Sequence, residues 1–185
     1  VWHCHSRLVS NPLIRIRNEV KYRMFGRNVT AALCVAPNVA TQVVARGMSR
    51  DKVKLFPNAI DTDRFSPATG DQREWARSIL GLPARGQVLL HFGWDWHTKG
   101  GDRLVDAVRL LRQNGNESIA ALTISGEGQS TNLQTTSLKS LDEAPGVYVV
   151  GPMEEVALLY SAADLFISSS RAEGQPYAVL EALSS

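Results

Sequence analysis

The stretch Ser168-Ser-Ser-Arg-Ala-Glu-Gly-Gln-Pro-Tyr-Ala-Val-Leu-Glu-Ala-Leu-Ser-Ser185 carries most of the information about fold and function. It follows the apolar run Leu165-Phe-Ile, which indicates a strand, and its Pro176 is typical of the first turn of a helix. At about 1.5 Å per residue, the helix rises roughly 7.5 Å before it reaches Glu181. Glu173 therefore precedes a helix N-terminus, whose free N–H groups favour an anion such as phosphate, and Glu181 lies more than one turn inside the helix.

Two carboxylates on either side of a phosphate site suit a ligand that joins a sugar, a diphosphate and a ribose. Residues 174–180 separate Glu173 from Glu181, which gives a spacing of seven intervening residues. This spacing and its flanking residues resemble the E-x7-E signature of the retaining GT-B glycosyltransferases of family 4. The alternative for two such glutamates is a solvated helix edge, but the flanking pattern and three further matches upstream favour the family resemblance.

The composition is typical of a globular chain with a proper core. Of the 185 residues, 44% are hydrophobic, and no run of 18 apolar residues indicates a membrane span. Cys4 and Cys34 each lie in an apolar, strand-like run, which indicates reduced packing cysteines in a cytoplasmic protein. The chain has no initiator Met and stops inside a helical pattern, so we expect both ends to be cuts through a longer protein.

The net charge of +2 conceals an uneven distribution along the chain. Residues 1–70 carry 11 Lys and Arg against 4 Asp and Glu, whereas residues 71–185 carry 9 against 14. This change of sign is consistent with two domains that face different partners. Nucleic acid is not an expected partner, because the chain lacks the alternation of basic and aromatic residues that stacks bases.

Short apolar strands alternate with amphipathic helices along the chain. We predict a strand that ends at Cys4 and further strands over residues 29–35, 53–56, 88–92, 119–125, 147–150 and 164–168. Helices are predicted over residues 12–26, 38–46, 101–113, 130–141, 154–163 and 176–184. This alternation predicts βαβ units with buried parallel sheets, in which ligands bind at the carboxyl ends of the strands.

The family resemblance implies an α/β chain of the GT-B fold, with two Rossmann-like domains that are both incomplete. Residues 1–56 correspond to the C-terminal part of the N-terminal acceptor domain, residues 57–70 to the interdomain linker, and residues 71–185 to a donor domain truncated at its C-terminal end. The linker resembles the family motif Pro-Asn-Gly-Val-Asp-x-x-x-Phe, with Ala59 in place of glycine. A left-handed backbone at Ala59 would therefore be costly.

Two segments invite interpretation as metal sites. Asp61-Thr-Asp63 has the form of the Asp-x-Asp site of GT-A glycosyltransferases, but its place in a proline-bounded linker favours turn capping and domain linkage. His3 and His5 lie on one strand face, yet two imidazoles do not fill a zinc shell and no set of Cys and His partners accompanies them. We therefore expect no metal, and the resemblance implies no cofactor besides the nucleotide sugar that serves as substrate.

A lysine at a glycine-rich helix entrance follows the predicted strand 88–92. The segment Gly93-Trp-Asp-Trp-His-Thr-Lys-Gly-Gly-Asp102 resembles the family's Gly-Arg-x4-Lys-Gly segment, whose Arg and Lys bind the donor phosphates. Lys99 matches the family lysine, whereas Trp94 stands in place of the arginine. The alternative interpretation of Lys99 is a surface lysine in a loop.

Further positions are assigned by the same resemblance. Gly126 matches a loop that approaches the nucleotide, although a tight turn explains it equally well, and Gly151 matches a segment whose backbone receives the base. His5 matches a histidine that faces the donor sugar, with a packing histidine as the alternative, while His91 and His97 receive no role. We thus expect Glu173, Lys99 and His5 to be catalytic, and the substrate-binding residues to be Glu181, Gly126, Gly151, Gly174, Gln175 and Pro176.

The implied function is that of a hexosyltransferase-type glycosyltransferase in enzyme class EC 2.4. It transfers a sugar from a UDP, GDP or ADP sugar to an unidentified acceptor with retention at the anomeric carbon. By resemblance, Lys99 and the helix N-terminus at Pro176 stabilise the departing diphosphate, Glu173 holds sugar hydroxyls and Glu181 holds the ribose. The alternatives are a nucleotide-sugar epimerase of the same fold and a non-catalytic nucleotide-binding Rossmann-like module. The chain alone is expected to be inactive.

The segment over residues 12–27 is strongly basic. It sets Arg15, Arg17, Lys21, Arg23 and Arg27 against the single acidic residue Glu19. In charge and position it resembles cationic surface helices that some family members turn toward anionic membranes, and a solvated helix face is the alternative. The expected location is the cytoplasm, with peripheral contact at the inner face of the membrane and a role in polysaccharide or glycolipid biosynthesis.

Overall fold

The computed structural model of the chain describes residues 1–5, 12–124, 144–151 and 153–185. These residues form two compact units, the first comprising Val1–Ala59 with Ala172–Tyr177 and the second comprising Ile60–Arg171 with Ala178–Ser185. The first change of unit falls inside the predicted linker. The short segment Ala172–Tyr177, which contains Glu173, belongs to the first unit although the chain on either side of it belongs to the second.

The first unit is built on a three-stranded parallel sheet. Its strands lie in the order β1 (Trp2–Cys4), β2 (Ala32–Cys34) and β3 (Val53–Leu55). Two α-helices accompany the sheet, α1 (Pro12–Val20) and α2 (Pro37–Ala45). A π-helical turn at Lys21–Phe25 and a 3-10 turn at Gly26–Asn28 follow α1, and a 3-10 turn at Arg50–Lys52 precedes β3. The buried core includes Cys34, Val39 and Val43.

Helix α1 differs from its sequence pattern. The spacing of Leu13, Ile16, Val20 and Met24 predicts one buried face, yet all four side chains are exposed and no residue of α1 is buried. The segment after α1 supplies the core contact instead. There the backbone widens into the π-helical turn, and Tyr22 is buried with its ring edge against Trp2 at a centroid distance of 5.5 Å.

The second unit is built on a four-stranded parallel sheet. From β4 (Gln87–Phe92) the chain adds β5 (Ile119–Ile124) and then β6 (Val147–Val150) on one side. It then returns to place β7 (Leu165–Phe166) on the other side of β4, with Leu89 opposite Leu165. The strand order therefore reverses between β4 and β7. Their carboxyl ends form the switch point at which open α/β sheets bind ligands.

Helices cover both faces of this sheet, which explains why its strands are continuous apolar runs. They are α3 (Gly70–Ile79), α4 (Trp96–Lys99), α5 (Gly101–Gln113), α6 (Ala157–Ala162) and α7 (Tyr177–Ser184). Every residue of β5 is buried, and successive residues contribute to opposite faces. The predicted α/β class with parallel sheets is confirmed. The predicted helix over residues 130–141 lies outside the described residues.

Helix α3 occupies a region where the sequence pattern predicts no element. It begins with a capping box, in which the side chains of Thr69 and Gln72 bond each other's backbone N–H groups. Its large apolar residues Trp75 and Ile79 are exposed, whereas its buried positions hold Ala76 and Arg77. A buried arginine interrupts the apolar stripe by which amphipathic helices are recognised.

The described residues include no helix that is both long enough and apolar enough to cross a membrane.

Buried Arg77 holds the start of β7 against β4. Its guanidinium lies 2.7 Å from Asp164 Oδ2, and its Nε donates to the carbonyl of Ala162 at 2.9 Å. Asp164 Oδ2 also accepts from the N–H of Val88 in β4 at 2.7 Å. On the exposed side, Arg73 Nη1 lies 3.0 Å from Asp164 Oδ1. The carboxylate of Asp164, the residue that precedes β7, is therefore bonded to both α3 and β4.

The two arginines that share Asp164 should differ in their effect on stability. Arg77→Met leaves a half-buried carboxylate without its buried cation, and we expect it to lower the free energy of unfolding by about 3–5 kcal/mol. Arg73→Met removes a cation whose side chain is 44% exposed, and its cost should stay below about 1 kcal/mol. Urea denaturation of both variants measures the two losses. Equal losses would show that burial of Arg77 does not set its contribution.

Candidate functional site

The loops that follow β4 and β7 are joined at the switch point of the second unit. The Ser169 hydroxyl lies 3.0 Å from the carbonyl oxygen of Lys99 and 2.9 Å from that of Gly100. The N–H of Arg171 donates to the carbonyl of Thr98 at 2.8 Å. Lys99 is the last residue of the short helix α4, so these bonds fix the backbone from which its side chain extends.

Gly100 makes this close approach of the two loops feasible. Its φ of +75° ends α4 in the left-handed conformation. A Cβ atom at this position would lie 2.3 Å from the carbonyl oxygen of Ser169, too close for any side chain. The glycine that follows Lys99 in the sequence is therefore required both by its backbone conformation and by the neighbouring loop.

Arg171 adds a second connection between the same loops. Its Nη1 and Nη2 lie 2.9 and 2.6 Å from the two carboxylate oxygens of Asp102 in α5, and Nη1 also donates to the carbonyl of His97. The bond from Arg171 holds the pKa of Asp102 down to about 2. Sequence reasoning missed this pair because its partners lie 69 positions apart. The only available signal was the position of Arg171 two residues before Glu173.

Buried His91 holds the backbone of Lys99 in place. It is 1% exposed within β4, with Nε2 3.0 Å from the Lys99 carbonyl oxygen and Nδ1 3.0 Å from Thr123 Oγ1. Because a carbonyl can only accept, Nε2 must carry the proton and Nδ1 must accept from the threonine hydroxyl. Burial lowers the pKa of His91. The imidazole is therefore neutral and acts as a fixed donor, a role that could not be assigned from the sequence pattern.

Glu181 in α7 is oriented by a buried tyrosine that sequence reasoning also missed. The Tyr160 hydroxyl lies 2.7 Å from Glu181 Oε2 and 3.0 Å from the carbonyl oxygen of Ala178. Burial, together with the neighbouring carboxylate, raises the pKa of Tyr160 well above its usual range. The hydroxyl thus stays protonated and donates a hydrogen bond to the carboxylate, which is the stronger of the two acceptors.

The loop that contains Glu173 is fastened within the first unit. A Cβ atom at Gly174 would lie 2.1 Å from the carbonyl oxygen of His5, so the loop backbone packs directly against the end of β1. Asn58 donates its N–H to Gln175 Oε1 at 2.6 Å and its side-chain amide to the Gln175 carbonyl at 2.7 Å. Two expected site residues, His5 and Gly174, are therefore adjacent. The side chain of Gln175 serves to anchor the loop.

The other expected positions are distributed as follows. Pro176 immediately precedes α7, Gly151 is exposed after β6, and Trp94 is 41% exposed after β4. Gly126 lies outside the described residues. Ala59 does not adopt a left-handed backbone, because only glycines have positive φ among the residues described.

Among the described residues, neither of the two segments considered above as metal sites has a complete ligand set. Asp61 Oδ1 accepts from the N–H groups of Asp63 at 2.9 Å and Arg64 at 3.1 Å, which is the hydrogen bonding of a turn cap. The rings of His3 and His5 lie 3.8 Å apart. Within the described part of the chain, no three His, Cys, Asp or Glu side chains form a group that could hold a metal ion.

The neutral state of His91 should make stability depend on pH. Because its pKa is lowered by folding, its stabilising contribution is complete above the unfolded pKa of about 6.5 and decreases as the pH falls below that value. His91→Gln keeps a donor for the Lys99 carbonyl but cannot titrate. It should therefore flatten the fall in melting temperature between about pH 8 and pH 5.

Exposed His97 provides the control for this measurement. His97→Gln should retain the pH dependence of the unmodified chain in thermal denaturation. If His91→Gln retains it as well, the interpretation of His91 as a buried neutral donor is wrong.

Comparison with known proteins connects this arrangement to a family. The family described as "Glycosyl transferases group 1" matches residues 86–185. The mannosylfructose-phosphate synthase of Agrobacterium fabrum is 31% identical over 150 residues, which cover 75% of this chain and 32% of that protein. The UDP-Gal:alpha-D-GlcNAc-diphosphoundecaprenol alpha-1,3-galactosyltransferase of Escherichia coli is 26% identical over 166 residues, which cover 87% of this chain and 42% of that protein.

A solved structure with the same fold is HepE of Anabaena in complex with UDP-glucose. It matches with a TM-score of 0.84 at 18% identity, covering 98% of this chain and 50% of that one. The chain thus spans half or less of the length of these relatives. The family match covers more than half of the chain and includes Lys99, Glu173 and Glu181. This chain belongs to the glycosyl transferases group 1 family and has the GT-B fold.

Proposed function

We propose that the protein is a retaining glycosyltransferase that uses a nucleotide diphosphate sugar as donor. The observation that carries the proposal is the fixed position of Lys99 at the switch point, where His91 and Ser169 both bond its carbonyl oxygen. Membership of the glycosyl transferases group 1 family supports it. The proposed retention is tested on the intact enzyme by proton NMR, which should show the same anomeric configuration in product and donor.

Charge stabilisation of the departing diphosphate is the proposed role of Lys99. Transfer breaks the bond between the anomeric carbon and a diphosphate oxygen, so negative charge accumulates on the leaving group. A fixed cation and the N–H groups at the start of α7 stabilise that charge without reorganising during the reaction. The bonds from His91 and Ser169 hold the backbone of Lys99 in place before the donor arrives.

Glu181 is the proposed acceptor for the ribose hydroxyls, and Glu173 the proposed acceptor for hydroxyls of the donor sugar. The bond from Tyr160 fixes the plane of the Glu181 carboxylate through Oε2. The other carboxylate oxygen, Oε1, is the one proposed to accept from the ribose hydroxyls. Because Tyr160 is buried and protonated, it supports Glu181 without competing for the nucleotide.

Removal of the Glu181 charge should weaken nucleotide binding. Hydrogen bonds to charged groups contribute about 1.5–3 kcal/mol, so Glu181→Gln should raise the dissociation constant of the preferred nucleotide roughly 10- to 100-fold. Glu155→Gln makes the same change at an exposed position and should leave the affinity unchanged. Calorimetric titration of the 185-residue chain with UDP, GDP and ADP measures these constants and identifies the base. Equal affinities in both variants would refute the ribose role, and no binding of any of the three would refute the proposed donor.

Donor binding is proposed to need no divalent metal, because Lys99 and the start of α7 supply the positive charge. The dissociation constant for the preferred nucleotide should therefore be the same in EDTA as in Mg²⁺ or Mn²⁺. Asp61→Asn should also leave it unchanged, since this carboxylate caps a turn. Binding that requires Mn²⁺ and is lost in Asp61→Asn would instead support an Asp-x-Asp metal site.

Peripheral membrane contact through α1 is also part of the proposal. Its exposed apolar residues Leu13, Ile16 and Val20 share the helix with Arg15 and Arg17. Apolar side chains beside arginines are typical of helices that lie in the interface of an anionic bilayer.

A further inference from the structure

A cationic cavity lies at the amino ends of β2 and β3, away from the carboxyl ends at which parallel sheets bind their ligands. It has a volume of about 430 Å³ and is lined by residues that include Tyr22, Arg23, Arg27, Gly47, Ser49 and Lys52. Arg27 belongs to the 3-10 turn that leads toward β2, and Lys52 immediately precedes β3. We name it the basal cavity. The mechanism proposed above does not use it.

The lining of the basal cavity is predominantly positively charged. Among the described residues that line it, three side chains are cationic and none carries a carboxylate. The neighbouring Asp51 accepts a hydrogen bond from the hydroxyl of Ser49, which lowers the pKa of Asp51, so its carboxylate offsets part of this positive charge. Residues 1–59 as a whole contain 10 Lys and Arg but only 2 Asp and Glu. Like charges collected around a concave surface create a potential that attracts anions.

A buried and unpaired donor lies beside the cavity. Arg46 directly precedes Gly47, and its Nε is buried with no hydrogen-bond partner among the described residues. The same guanidinium donates through Nη1 to the carbonyl of Gln42 at 3.2 Å. A buried donor atom without a partner is costly, which marks this end of the cavity as a place where a polar group is needed.

The backbone around the cavity is shaped to hold Arg23. It belongs to the π-helical turn Lys21–Phe25, a rare conformation that occurs frequently at functional sites. Gly47 has a φ of +103°, and a Cβ atom there would lie 2.4 Å from Arg23 Cγ. Elsewhere in the lining, Lys52 donates hydrogen bonds to the carbonyl of Arg27 at 2.7 Å and to that of Gly26 at 3.3 Å. A larger residue at position 47 would displace Arg23.

We propose that the basal cavity binds a phosphate group, at a site that shares no residue with the proposed donor site. Arginine guanidinium groups match the geometry of phosphate oxygens through paired hydrogen bonds, and two arginines line this cavity. The volume exceeds what phosphate alone requires, so the site can admit a phosphate monoester with an attached organic group. This proposal does not depend on the protein being a glycosyltransferase.

The test is a calorimetric titration of the 185-residue chain with inorganic phosphate, with chloride at equal ionic strength as the blank. The double variant Arg23→Gln/Arg27→Gln should bind phosphate at least about tenfold more weakly, because two charge-assisted contacts are lost. The matched variant Arg15→Gln/Arg17→Gln removes the same charge from α1, outside the cavity, and should bind within about twofold of the unmodified chain. No saturable binding, or equal weakening in the two variants, would overturn the proposal.

A charge-conserving variant separates phosphate recognition from loss of folding. Arg23→Lys/Arg27→Lys keeps both charges but loses the paired geometry, so its phosphate affinity should fall between that of the unmodified chain and that of the glutamine variant. Melting temperatures of all variants, measured without phosphate, identify any that do not fold. Lysine and glutamine variants that fold and bind phosphate as well as the unmodified chain would contradict a site at Arg23 and Arg27.

Vesicle sedimentation distinguishes a lipid-borne phosphate from a soluble one. If the natural ligand is a lipid headgroup, vesicles containing phosphatidic acid should bind the chain, inorganic phosphate should compete with part of this binding, and Arg23→Gln/Arg27→Gln should remove that part. If the ligand is soluble, any vesicle binding should be insensitive to both changes, while the calorimetric loss persists. Both outcomes support phosphate recognition in the basal cavity and differ only in the source of the phosphate.

Discussion

The ion pair between Arg77 and Asp164 determines where β7 begins, and the candidate site of the second unit depends on that position. Strand β7 pairs with β4 over only two residues, so its ladder alone provides little stability. The same carboxylate also accepts the N–H of Val88, which ties β4 and the start of β7 together at their amino ends. The carboxyl ends of the two strands therefore lie side by side, and the loops that bind Lys99 emerge next to each other.

Rigidity at the switch point comes from buried polar groups that each have a defined partner. His91 connects the interior of the sheet to the backbone of Lys99, and Tyr160 connects the core to Glu181. A buried imidazole or phenol that lacked its partner would be costly, so the core itself favours one position for each site residue. Asp102 and Arg171 repeat this arrangement at the surface, where solvent makes the pair weaker.

Local secondary structure could largely be predicted from the sequence, whereas hydrogen bonds between residues far apart in the chain could not. The apolar runs predicted β4, β5 and β6, and the E-x7-E pattern around Glu173 and Glu181 identified the family, which is confirmed. Helix α3 was missed because Arg77 occupies a buried position that the pattern requires to be apolar. His91, Tyr160 and Arg171 could not be found by spacing, since their partners come from other elements. The roles assigned to individual site residues still rest on the family resemblance.

Segment Ala172–Tyr177 limits how freely the two units can be exchanged between related proteins. Its anchors, Asn58 and the carbonyl of His5, lie more than 100 positions earlier in the chain. In a chimaera joined at Ala59, the loop Ala172–Tyr177 would come from one protein, whereas the residues at positions 5 and 58 that anchor it would come from another. Recombination within the family is therefore constrained at a place that domain boundaries do not reveal: the residues that hold Gly174 and Gln175 must be inherited together with the loop.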